Sequence, residues 1–101
     1  MELNTVRISG LLRELKASRT SPAGVVHREL ILEHRSRQTM AGQQREVRAV
    51  VIVKMTGSEM ARQVEGFQPG DRIMVSGMLA QVSHHDTQQL LIHAQAIERF
   101  E

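Results

Sequence analysis

The stretch TGSEMARQVEGF, Thr56 to Phe67, is where the chain changes its hydrophobic period, and what flanks it decides the fold. Thr56 and Glu59 have capping-box spacing: the threonine hydroxyl can accept from the amide three residues on while the glutamate reaches back. Met60, Val64 and Phe67 then recur at intervals of four and three. A short helix is predicted there, ending near Gly66, with Phe67 on its core-facing stripe.

The rest of the chain alternates with a period of two. Toward the N-terminus, Val6, Ile8 and Leu12 point one way with Gly10 in their row, while Arg7, Ser9 and Arg13 point the other. SRTSPAG, Ser18 to Gly24, is a loop by composition. A second strand turns Val26, Leu30 and Leu32 inward and His27, Glu29, Ile31 and Glu33 outward. RSRQTMAGQQR, Arg35 to Arg45, reads as an arginine-rich turn in which Gly42 takes positive φ. The third strand has one row of Val47, Ala49, Val51 and Val53, yet Val50 and Ile52 make its other row apolar as well. A strand apolar on both faces expects cover on both, and in so small a chain the second cover is another subunit, with Val50 and Ile52 at the homodimer interface. Beyond the helix, QPGD turns the chain into RIMVSGMLA, where Ile73, Val75 and Leu79 share a face with Gly77. The loop VSHHDTQQ leads to a last strand, LLIHAQAIERF.

Three strands, a helix and two strands, with glycines where two core-facing rows must bend, is the order of an OB-fold. The expected architecture is all-β, with one domain over residues 1–101: a five-stranded Greek-key barrel whose short helix lies between the third and fourth strands.

Composition removes several function classes. No stretch approaches the ~18 apolar residues of a membrane helix. MELNTVRISG has no apolar signal-peptide core, so a cytoplasmic location is expected. Without cysteine there are no disulfides, thiolate metal sites or Cys nucleophile. The five histidines do not fall at zinc-ligand spacing; His84 and His85, being adjacent, would face opposite ways on a strand, as would His27 and His34. Ser76 is not in a nucleophile elbow and QPGD lacks the Gly-Lys pair of a phosphate loop. No metal, no cofactor and no enzymatic activity are expected. Glu29 and Glu33 share the outer face of the second strand among cations and read as ion-pair partners.

The net charge of +2 hides an asymmetry. Between Arg7 and Lys54, ten basic residues meet four acids, whereas between Met55 and Glu101 three meet six. Eleven of the thirteen cations are arginine, suited to bidentate phosphate contacts and to stacking on bases. A phosphate-facing surface and a solvated basic face both fit this distribution.

RISG at Arg7 to Gly10, SPAGVVH at Ser21 to His27, LEHRS at Leu32 to Ser36, PGDRIMVSGML at Pro69 to Leu79 and IHAQAIE at Ile92 to Glu98 resemble the primosomal replication protein N family, bacterial relatives of the single-stranded DNA-binding proteins. The resemblance spans nearly the whole chain. It implies a homodimer of OB-folds that binds single-stranded DNA and assists replication restart with a restart helicase and a further primosome loading protein. It carries DNA contacts onto Arg19 and Arg35. Family members place an aromatic where this chain has Gln43, a tryptophan where it has Arg48, and lysines where it has Ser83, His84, His85 and Asp86.

With no Trp or Tyr, and with Phe67 assigned to the core, charge and arginine planes are left to hold a strand. The expected nucleic-acid contacts are Arg13, Arg19, Arg35, Arg37, Arg45 and Arg48, with His84 and His85 as weak contacts. The Arg35–Arg45 turn is read as a mobile cationic finger over a phosphate backbone. Three alternatives stay open: a hairpin tip merely solvated by its arginines, a dimeric protein adaptor in primosome assembly with little DNA affinity, and an RNA-binding OB domain.

Overall fold

Each long alternating segment becomes a strand. The computed structural model describes residues 1–100; Glu101 and the side chain of Asp86 lie outside the described residues. The strands are β1 (Val6–Leu15), β2 (Arg19–Thr20), β3 (Val26–Met40), β4 (Gln43–Thr56), β5 (Arg72–Ser83) and β6 (Asp86–Phe100), with one helix, α1 (Ser58–Gln63), between β4 and β5. The two-residue β2 was not expected. Ser21 donates its amide to Val25 and Gly24 donates to Ser21, and this tight turn folds the supposed loop back so that Arg19 pairs with His27.

β1 pairs with both β5 and β3, β3 with β4, and β5 with β6, all antiparallel. A short parallel contact from Ile52↔Leu91 to Lys54↔His93 joins β4 to β6 and closes the five long strands into a barrel. Such closure needs strands that bend and approach closely, and the two in-row glycines supply it. A Cβ on Gly10 would overlap the Glu33 carbonyl oxygen, and one on Gly77 would overlap that of His93. Register slips mark the same bends: Arg13 bulges between Leu12↔Leu32 and Glu14↔Ile31, and Gln95 bulges between Gly77↔Ala94 and Ser76↔Ala96.

The inward rows fill the barrel with Leu12, Leu30, Leu32, Val53, Met55, Ile73, Val75, Ile92 and Ile97, while Val64 plugs it from the helical segment. Phe67 packs against this core, as its place on the helical stripe indicates. Val26 is half-buried at the start of its row, and Leu79 lies at the rim, where its row runs out of core.

The helix itself departs from expectation. Its N-cap is Gly57 at φ 103°, with no side-chain cap, and the predicted capping box does not form. Thr56 is the last residue of the ladder, opposite His27, so its backbone belongs to β4 and its side chain makes no cap hydrogen bond. The helix stops at Gln63, well before Gly66.

Candidate nucleic-acid interface

The Arg35–Arg45 segment is mostly strand. Pairing of β3 with β4 runs from His27↔Thr56 to Met40↔Gln43, and the turn is only Ala41–Gly42. Their φ values of 51° and 77° match the primed two-residue turn whose twist suits a hairpin, so the β ladder consumes residues read as loop. β1 pairs with β3 only as far as Leu11↔Glu33, and β6 meets β4 only at Ile52 to Lys54. Beyond those points the two strands stand out as a ribbon, and the molecule is accordingly 51 Å long.

Register sorts the arginines. Arg35 lies directly opposite Arg48, and Arg37 opposite Glu46, on the face that also carries Glu33. Arg45 lies opposite Gln38, on the other face with His34 and Ser36, so the strand period separates it from the rest of the predicted finger. Two arginines directly opposite each other repel, and Glu33 offsets this. Its Oε2 lies 3.6 Å from Arg35 Nη2 and 3.5 Å from Arg48 Nη2, with both guanidinium groups more than half exposed. A shared carboxylate in that setting contributes little stability and holds the two guanidinium groups side by side. Glu29 takes the parallel role with Lys16 at 3.8 Å and Lys54 at 3.9 Å. Both glutamates are thus the ion-pair partners that alternation predicts.

The other face braces the ribbon. His34 Nδ1 donates to the Ser9 carbonyl at 2.7 Å, where the β1–β3 ladder has stopped, and its Nε2 is hydrogen-bonded with the Ser36 hydroxyl, 2.8 Å away. Gln38 Nε2 donates to the same hydroxyl oxygen at 3.0 Å. His34 therefore serves the scaffold.

Arg13, on its bulge, is exposed beside the middle of β3, and Arg19 is exposed beside its start. Arg35 follows eight residues after His27, about 27 Å along the strand. Arg19, Arg13 and the Arg35–Arg37–Arg48 group therefore follow one another along β3 rather than forming one cluster. His84 and His85 form the turn between β5 and β6, with ring centroids 4.2 Å apart; in a turn they do not take the opposite faces a strand would give them. Because β4 and β6 run parallel, this hairpin and the ribbon leave the barrel in the same direction. Among the described residues no three His, Cys, Asp or Glu side chains gather as a metal site, and no helix is long and apolar enough to cross a membrane.

A cleft of about 410 Å³ opens beside the arginine pair, lined by Ser9, Gly10, Leu11, Glu33, Arg35 and Arg72. Sequence reading missed Arg72. The signal lay in the register, since Leu11 is opposite both Glu33 and Arg72 and so joins β3 to β5 across the outer surface.

Val50 and Ile52 continue the outward row of β4 after Arg48. Val50 is 56% exposed, and Ile52, half-buried, lies opposite Leu91, which in turn lies opposite Ala80. Leu91 is itself buried at 2% exposure, so the exposed apolar surface here is Val50 together with Met78 on β5, 41% exposed.

Residues 4–96 match the sequence profile of a family described as "Another single-strand binding protein family". The chain is 34% identical over 98 residues to the Replication restart protein PriB of Actinobacillus succinogenes, covering 94% of this chain and 89% of the relative. It is 32% identical over 97 residues to the protein of the same name from Vibrio cholerae, covering 95% and 97%. Among solved structures, PriB of Ralstonia solanacearum superposes with a TM-score of 0.84 at 24% identity, over 99% of this chain and all of that one. The single-stranded DNA binding protein of Thermus aquaticus gives 0.78 at 25% identity, over 98% of this chain and half of that one.

Proposed function

Because the chain belongs to the replication restart protein PriB branch of the single-strand binding protein family, we propose that it is a non-catalytic single-stranded DNA-binding protein of replication restart, acting in the cytoplasm as one OB-fold domain of residues 1–101. The observation that carries this reading is the cross-strand pair Arg35 and Arg48, held side by side by Glu33 on a projecting ribbon. Arg37 extends that face, and Arg13 and Arg19 continue the positive track along β3. Arg45, on the ribbon's reverse, and the His84–His85 turn flank a strand rather than anchor it. Phosphates displacing Glu33 would gain a pair of forked donors already positioned for them.

We further propose a homodimer through Val50 and Ile52. Along β4 the outward row changes from Glu46 and Arg48 to Val50 and Ile52, so charge faces the strand and the apolar patch faces a second copy. A restart helicase and a further primosome loading protein are the proposed protein partners.

The test is fluorescence anisotropy of a labelled strand of about 35 nucleotides at several salt concentrations, with duplex as competitor. The expected result is a single-strand preference and a log–log salt slope near −0.7 per phosphate neutralised. Absent binding at physiological salt would favour the dimeric adaptor, and equal binding of RNA would remove the preference for DNA.

A further inference from the structure

Only two phenylalanines represent the aromatics in this chain, and one of them, Phe67, is packed against the core. The other, Phe100, is 37% exposed on the outer face at the end of β6, opposite Arg72. The register places Glu33, Leu11, Arg72 and Phe100 in one cross-strand row that curves round the barrel from β3 over β1 and β5 to β6. At ordinary strand spacing the row from Glu33 to Phe100 is about 14 Å long.

A second cleft, of about 510 Å³, opens at that end, lined by Leu11, Gly70, Asp71, Arg72, Arg99 and Phe100. It shares Leu11 and Arg72 with the cleft beside Arg35, so the two lie side by side. Arg72 is exposed and, among the described residues, makes no ion pair. Arg99 is also largely exposed, with one guanidinium nitrogen 3.6 Å from Asp71. Asp71 is in turn fixed by the Gln68 amide, which donates to its Oδ2 at 2.8 Å. The cleft thus offers an aromatic face, an apolar floor at Leu11 and two guanidinium groups, which suit the base and phosphate of a nucleotide.

We infer that Phe100, Arg72 and Arg99 form a second contact for single-stranded DNA, in which a base stacks on Phe100 while Arg72 and Arg99 hold the adjoining phosphates. The inference rests on the DNA-binding reading above and extends the strand's path from the ribbon round β1 to the end of β6.

The chain has no tryptophan, so Phe100→Trp introduces a unique fluorophore. Titration with unlabelled oligo-dT of about 35 nucleotides should quench it, saturating where anisotropy saturates. Phe100→Ala should weaken binding about fivefold or more, and Phe100→Leu, which keeps the apolar bulk without the π face, should weaken it similarly. Thermal melts of all three variants identify any loss due to unfolding, and the tryptophan variant reports stacking directly even if the alanine variant does not fold. Unquenched fluorescence, or wild-type affinity in Phe100→Leu, would overturn the inference while leaving the ribbon reading intact. If the wild-type chain fails to bind the strand, both fall.

Discussion

The barrel and the ribbon are built from the same two strands, β3 and β4, yet different physics governs each half. Within the barrel, Leu30, Leu32, Val53 and Met55 are fully buried in one cluster with inward residues of β1, β5 and β6. Beyond Glu33 and Val50 the strands pair only with each other, and most of their side chains are exposed. An isolated two-stranded ribbon is marginal in water, so this one depends on the barrel at its base and on the brace from His34 to Ser9. The difference teaches that stability and binding are separable here: substitutions in the barrel's buried core should change melting, and those on the ribbon should change affinity.

The largest effects should come from the close approaches. Gly77→Ala drives a methyl group into the His93 carbonyl, where the neighbour is backbone and cannot step aside. A loss of about 3 kcal/mol, or failure to fold, is expected in chemical denaturation. Leu32→Ala should cost a comparable amount, about 2–5 kcal/mol, through the cavity it leaves. Neither should change the oligonucleotide affinity of the fraction that stays folded. A variant in the barrel's buried core with full stability and lost binding would break the division.

Next in size are the charge reversals on the ribbon. Arg35→Glu with Arg48→Glu replaces the opposed cations with a cluster of three carboxylates around Glu33. Binding should fall at least tenfold, about 1.4 kcal/mol, and the salt slope should flatten by about 1.4 for two lost phosphate contacts. Melting should change little. Pairing Arg35→Glu with Arg45→Glu instead should cost less, because Arg45 faces away. An equal loss from both double variants would mean that the strand wraps the ribbon on both sides.

That second comparison shows where sequence reading reached its limit. Alternation was enough to place the inward rows, and glycines inside Val6–Leu12 and Ile73–Leu79 were enough to require a closed barrel. The arginines were legible as a positive region, but not as a face. With the turn taken to span eleven residues, Arg35 and Arg45 seemed equivalent; a two-residue turn at Ala41–Gly42 fixes the register and makes Arg48 the partner of Arg35. Arg72 and Phe100 were illegible for a related reason. Nothing local ties them to β3, and only the pairing of β1 with two strands at once brings them into its row.

Double substitution of Val50→Glu and Ile52→Glu tests the boundary on β4 between charge and apolar surface. It should halve the mass in light scattering if this patch holds the dimer, with a smaller effect on affinity through lost avidity. Unchanged mass would remove Val50 and Ile52 from any interface, and a monomeric mass for the wild type would overturn the proposed homodimer.

The smallest expected effect runs in the opposite direction. Glu33 holds Arg35 and Arg48 with a carboxylate at 3.6 and 3.5 Å, in the position a phosphate would take. Glu33→Gln keeps the shape and a polar contact but removes the competing charge. Exposed ion pairs of this kind contribute about 0–1 kcal/mol, so the barrel should melt within about 5 °C of the wild type while oligonucleotide affinity rises about two- to fivefold. The two consequences of losing the carboxylate pull against each other: the guanidinium groups become freer to meet phosphates, but they also repel and splay apart. Affinity therefore decides whether Glu33 acts mainly as competitor or as positioner, and a fall in Glu33→Gln would show that holding the arginines side by side is worth more to binding than leaving them unopposed.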